Sequence, residues 1–400
     1  MNRGSHHCQC GAATLVVVLV LLFAMTLVAA FANRNLIFEQ RTSANQVRST
    51  QAFEAAEAGL EWAQAMLNRR DRLGPDCQPS SRFDAVSFRE RSLRYSVVDG
   101  MHAPTTLRAA CVHAGQGWTC SCPTQGLPSL PAPTDGTSHP GFSVEFGATT
   151  RPGLVRLIAS GRAGADASST QVQVLLALVP GLSTPPVAPL TVKESVSVSG
   201  ALGLHNPDAA AGGLVLDAGG TVAMPNLRIT TAAGGAAAAA SVERDAALST
   251  ASAASFFTGF FGLDKDTWSD QPAVAHLRCA SNCGTELSAA IDAATLIHID
   301  GDLQLEGPLT LGTRERPVLL VASGAVTLNG AVAIHGVVYG SSVAWNATGG
   351  GGAWVRGAVV SETGFQGNAS PDLIYDSAVL AMLKGNSGSF ARVPGSWKDF

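Results

Sequence analysis

From Ala12 to Ala32 the chain carries no charged residue, although Lys, Arg, Asp and Glu make up 14% of its 400 residues. As a helix rising 1.5 Å per residue, such a run spans roughly 30 Å, the thickness of a bilayer's hydrocarbon core. The run is therefore predicted to cross a membrane once. A buried core helix is a poorer reading, because core helices seldom run so long without a charge. A secretory signal cut after Ala32 is the stronger rival, since "LVAAFA" offers small residues and Arg3 stands in the leader. The residues that follow argue against that cut. No Gly or Pro occurs between Ala12 and Ala58, and "NRNLIFEQRTSANQVRSTQAFEAAEAGLEWAQAMLN" is rich in helix-forming Ala, Gln, Glu and Arg. One helix over 12–68 follows, a rod of about 85 Å. In its second half Phe53, Ala56, Leu60, Ala63 and Leu67 recur at spacings of 3 and 4, with Glu54, Glu57 and Glu61 on other faces, so this half should lie on a globular domain.

A rod behind a short polar leader ending in Gly11 resembles the N-terminus of type IV pilins. "CGAATLVVVLVLLFAMTLVA" followed by "QRTSANQVRSTQAFEAAEAGLEWA" is most similar to the minor-pilin family with a PilX N-terminal domain, and "AFEAAEAGLE" is the more specific part. The resemblance covers about the first 70 residues. It implies a prepilin peptidase that cuts after Gly11 and methylates the new N-terminus at Ala12. Gly4 is a poor alternative site, since "SHHCQC" behind it would have to enter lipid. Major pilins carry a glutamate at the fifth mature position, which here is Val16. A carboxylate there costs about 2.5 to 3.5 kcal/mol in lipid unless it meets a neighbouring amino terminus. The family's members without it stand at the filament tip, which becomes the expected position here.

The net charge of −4 and low Lys content exclude a polybasic nucleic-acid binder. Cys8 and Cys10 would leave with the leader, and six cysteines remain: Cys77, Cys111, Cys120, Cys122, Cys279 and Cys283. An even number fits an oxidising compartment. Cys120 and Cys122 are too close to pair with each other, so each takes one of Cys77 and Cys111 in a connectivity left open, while Cys279 closes a small loop with Cys283. Zinc on His276, Cys279 and Cys283 in "HLRCASNC" is the weaker reading, for want of a fourth ligand nearby.

The expected fold is α+β at the N-terminal end, a long helix with an antiparallel sheet, followed by a mainly β body. Leader 1–11, helix 12–68 and a disulfide-containing pilin-like β domain at 69–180 come first; "LRYSVV", "GFSVEF", "LVRLIASG" and "TQVQVLLAL" are its strands. A Pro-rich linker at 181–189 belongs to neither ladder. Over 190–400, "SVSVSG", "GLVLDAGG", "LIHIDG", "VLLVASG", "GVVYGSS" and "GAVVSETG" recur, the last four at spacings of about 18 to 22 residues, as in a parallel β-helix or solenoid; an ordinary β-sandwich is the alternative. Residues 231–294 break the period as a partly helical insertion.

No catalytic, cofactor-binding or metal motif stands out. "TGGGGAW" lacks the Lys-Ser/Thr of a phosphate loop. Asp300, Asp302 and Glu306 lie along one expected coil, where solvated turn residues are commoner than acid pairs or calcium ligands. The reading is a non-enzymatic minor pilin that starts filament assembly and exposes its C-terminal body. Its implied partners are other minor pilins, the major pilin, the prepilin peptidase, the inner-membrane assembly machinery and a tip adhesin. Its place is the inner membrane with the body in the periplasm, then the tip. The alternatives are a type II secretion pseudopilin at that tip and a membrane-anchored carbohydrate-binding or cleaving β-helix.

Overall fold

The computed structural model describes residues 10–82, 85–114, 117–124, 139–164, 169–232, 241–242, 245–347 and 351–400. Outside the described residues lie positions 1–9 of the expected leader, 233–240 and 243–244 of the expected insertion, and 348–350 of the glycine-rich run.

Helix α1 (Cys10–Asn68) is continuous over 59 residues. The described side chains of its free half are all exposed, whereas Ala52, Ala56, Leu60, Ala63 and Leu67 are fully buried or nearly so. They face Val155, Leu157 and Ala159 on Leu154–Arg162 and Val172, Val174 and Leu176 on Ser169–Pro180. Alternation along those strands sends every second side chain to the helix, as a sheet solvated on its other face requires. The sheet is antiparallel, ordered Gly388–Arg392, Ser169–Pro180, Leu154–Arg162, Gly141–Gly147, Arg108–Ala114 and Gly117–Thr124, with Lys398–Asp399 also against Ser169–Pro180.

Three expectations about this region change. The hairpin of Arg108–Ala114 and Gly117–Thr124 was not legible as strands. "LRYSVV" contributes only Leu93–Tyr95, paired with His102–Pro104 in a separate two-stranded sheet after the short helix α2 (Phe88–Ser92). Residues 388–399, assigned to the C-terminal body, instead return to the first sheet, because Gly388, at φ 127, turns the chain out of the preceding helix and onto its free edge.

Beyond residue 180 the chain joins no ladder until Leu190–Val192. The intervening stretch is nonetheless fixed, with Leu182 and Ala188 buried. Two parallel sheets then build the second body, of 12 and 6 strands among the described residues. The smaller sheet alternates buried and partly exposed positions in Leu303–Glu306, Val326–Asn329 and Val343–Asn346. Its inward residues Leu305, Leu328, Val343, Trp345 and Phe365 meet Ile297, Leu320, Val338 and Val359 of the larger sheet. At Leu296–Ile299 and Val318–Ala322 the larger sheet is buried on both faces, which is why "VLLVA" (Val318–Ala322) runs apolar without alternation. Where consecutive strands stack at Gly336 and Gly357, a Cβ on Gly336 would lie 1.8 Å from Val318 O and one on Gly357 2.0 Å from Gly336 O.

The outer face of the larger sheet is covered by the segment expected to be an insertion. Helices α3 (Ala246–Thr250), α4 (Ala253–Phe261) and α5 (Lys265–Ser269) carry Phe256, Phe257, Phe261 and Trp268 onto Leu319, Val321, Val337, Tyr339 and Val360. Not all of residues 231–294 is inserted, however: Val274–Leu277 is the end strand of the larger sheet, and helix α6 (Gly284–Ala293) follows it.

The stacking order is not the chain order. Strands proceed from Val274–Leu277 through Leu296–Ile299, Val318–Ala322 and Val332–Gly340 to Trp354–Ser361, and Leu190–Val192 pairs next to that last strand. Leu216–Ala218 then stacks on Leu190–Val192. The linker therefore delivers the chain to the middle of the stack, and the insertion carries it back to the far end. Helix α7 (Ser377–Asn386) leads out toward the first sheet.

Candidate functional site

Every described side chain of α1 from Ala13 to Gln51 is exposed. Val16 is 59% exposed, and Leu19, Leu22 and Phe23 are similarly open. Thr26 Oγ1 donates to Phe23 O at 2.8 Å, so that hydroxyl stays satisfied in an apolar medium. The apolar run is long enough to cross a membrane. Gly11 and Ala12 lie in the first turns of the helix.

The docked half of α1 meets the C-terminal tail. Phe53 lies edge-on to Trp397, with ring centroids 6.2 Å apart, and Trp397 Nε1–H donates to Glu57 Oε1 at 2.5 Å. Arg392 pairs with Glu61 at 2.9 Å, and its Nε donates to Gln64 Oε1 at 2.9 Å. Asn68 donates to Phe390 O at 2.9 Å and accepts from Phe390 N at 2.7 Å, which mimics one rung of a ladder. Two carboxylates of the "AFEAAEAGLE" block thus hold the tail, while Glu54 points to solvent. Partners more than 300 residues apart leave no trace in local pattern.

A second fastening is Arg89 on α2. Its Nε donates to Leu67 O at 3.1 Å, at the C-terminal end of α1. Its Nη1 and Nη2 donate to Asn386 O at 3.2 Å, at the end of α7, and to Gly388 O at 2.7 Å, and the guanidinium sits 4.9 Å from the Phe390 ring centroid. Burial lowers its pKa to about 10, which leaves it charged at neutral pH. A cation against two helix C-termini is electrostatically favoured. Ser87 and Glu90 position α2 by a capping box.

Disulfides join Cys77 to Cys122, Cys111 to Cys120 and Cys279 to Cys283. Cys77, Cys111 and Cys122 lie in the core beneath α1 with Leu60, Ala63 and Leu67. From the sequence separations of 45 and 9, loop-closure entropy gives about 4 and about 3 kcal/mol for the first two bonds. The third removes both thiols from the weighed zinc set with His276. Among the acids, Asp302 Oδ1 accepts from Ala325 N at 2.8 Å, a turn role, and Glu306 accepts from Gln304. Burial, then the neighbouring Asp245, raises Asp217 to a pKa of about 6. That pair is hydrogen-bonded, closer than the about 5 Å that a glycosidase pair needs, and Asp245 is engaged in capping α3.

Residues 11–61 match the protein family described as PilX N-terminal. No curated protein matches the chain. Among solved structures it is similar to the competence-associated pilin ComZ from Thermus thermophilus, at 12% identity and a TM-score of 0.24, over 88% of this chain and 97% of that one. On the family match, residues 11–61 of the chain are type IV pilin-like.

Proposed function

We propose that this chain is a non-enzymatic minor pilin that primes a type IV filament and stands at or near its tip. The observation that carries the reading is the exposed, charge-free run of α1 from Ala13 to Ala32, with Val16 where an internal subunit would place a carboxylate. Such a subunit can dock beside others through its helix but offers no charge partner to an amino terminus above it. The second body supports the same placement. We read its parallel stack as a β-helix, and a body of that size is most easily accommodated where no subunit stands above it. Its working partners are then other minor pilins, the major pilin, the prepilin peptidase and the inner-membrane machinery. The body faces the periplasm before assembly and the exterior, or an adhesin, after it. A pseudopilin at a secretion tip is the near variant of this reading.

Processing is the first test. Mass spectrometry of mature protein is expected to find an N-methylated terminus at Ala12, whereas a start at Asn33 overturns the pilin reading. Position is the second. Immunogold against the body should label filament ends, and Val16→Glu, by restoring the missing charge partner, should spread label along the shaft. Even labelling of wild-type filaments, or no change in the variant, refutes the tip argument.

A further inference from the structure

We propose that His276, His298 and Asp300 form a site for a divalent cation of the zinc class at the end of the larger parallel sheet. His276 and His298 occupy paired positions on the neighbouring strands Val274–Leu277 and Leu296–Ile299, so their rings leave the same face side by side, with centroids 5.3 Å apart. Asp300 follows the second strand and brings Oδ1 to 3.3 Å from His298 Nδ1. One ligand atom from each residue lies within 4.8 Å of the others. Two ligands at about 2.1 Å from one ion can stand no more than about 4.2 Å apart, so a shift of about 0.6 Å by the exposed His276 side chain would bring the set into range.

The sharper sign is an unsatisfied atom. His298 is 7% exposed, and its Nδ1, although 3.3 Å from Asp300 Oδ1, makes no hydrogen bond among the described residues, an arrangement that costs free energy unless something occupies the lone pair. His276 Nε2 lies 3.0 Å from Ser269 O at the end of α5. A proton on Nε2 donates to that carbonyl and leaves Nδ1 with a lone pair, the kind of support metal-binding imidazoles receive. Arg278 touches the other carboxylate oxygen, Oδ2, at 3.4 Å, but its side chain is 82% exposed and free to withdraw. Two imidazoles and one carboxylate select zinc-class ions over calcium or magnesium, and three protein ligands leave a fourth position for water or for a partner's side chain.

The ion would also secure an edge. Among the described residues Val274–Leu277 pairs on one side only, with Leu296–Ile299, and a bridge from His276 to His298 would fasten it. The test is zinc titration of the full-length chain in detergent, alongside His276→Ala, Asp300→Asn and the double variant, with amide exchange of 274–277 as a second readout. These two positions are chosen because neither is buried. The expected result is one zinc per chain with a dissociation constant of about 10 μM or tighter, weakened about tenfold or more in each single variant, and slower exchange at 274–277 on zinc addition in the wild type alone. Absence of stoichiometric binding, binding that persists in the double variant, or binding without protection of the strand overturns the proposal.

Discussion

Gly161→Val is expected to destabilise the chain by about 3 kcal/mol or more, and to release α1 from its sheet, because helix and strand meet there with no room for a side chain. A Cβ at Gly161 would stand 2.0 Å from Ala52 O, 2.4 Å from Ala56 N and 2.9 Å from Ala56 Cβ. Two of those three atoms are helix backbone, so relief requires moving the helix rather than turning a side chain. That movement would also loosen the neighbouring fit of Gly59 against Phe142 and Ala159. Urea melts of the detergent-solubilised chain, with limited proteolysis between 52 and 68, measure the effect. Gly259→Ala is the control. It lies in α4, where an added Cβ would meet no described residue beyond its own helix within 4 Å, and should gain about 0.5 to 1 kcal/mol from its better helix propensity. Equal effects of the two substitutions would refute the close-approach argument.

Removing Arg89 should cost a similar amount by a different route. Arg89→Met keeps the length and apolar stem but strips the donor from Leu67 O, Asn386 O and Gly388 O together. Hydrogen bonds from a charged donor contribute about 1.5 to 3 kcal/mol each when measured singly, and since the three share one group they do not add, so about 4 kcal/mol is expected in total. Arg89→Lys retains the charge without the planar fork and should recover about half. The location of the damage is as informative as its size. Arg89 joins the end of α1 to the end of α7, so calorimetry of the Met variant should split one transition into two as the bodies uncouple. A single transition within 1 kcal/mol of the wild type would show that the three contacts carry little.

The parts of this molecule governed by short-range periodicity were legible in its sequence. The stripe Ala56, Leu60, Ala63, Leu67 is the buried face of α1, and the strand-like segments near 296, 318, 336 and 357 all belong to the larger sheet. Local pattern records which face of an element is apolar. It does not record what that face meets. Nothing in "SVSVSG" says that it stacks against residues 364–367, and nothing in "GSFAR" says that it returns to residues 176–180. The fastening residues were harder still, since Asn68, Arg89 and Arg392 are polar and read as surface. Two signals were available all the same. "SFRE" is a capping box that places Arg89 in a short helix, and the repeat of about 20 residues, applied to histidine rather than to valine, aligns His276 with His298. The zinc spacing of "HLRCASNC" drew attention along the chain, whereas the parallel ladder places the partner across it.

Because Leu190–Val192 must wait for Val359–Ser361, and Leu176–Pro180 for Gly388–Arg392, neither body closes until strands much later in the chain have been made. The first strand of the second body and the last strand before the linker are held open for those partners, and contacts of such long range are slow to form. A subunit that ends prematurely before Arg392 would present unpaired strand edges, the features that invite aggregation and degradation. The winding order therefore couples strands far apart in the chain: loss of residues 388–392 exposes an edge of the first sheet, and loss of residues 359–361 leaves Leu190–Val192 without that neighbour.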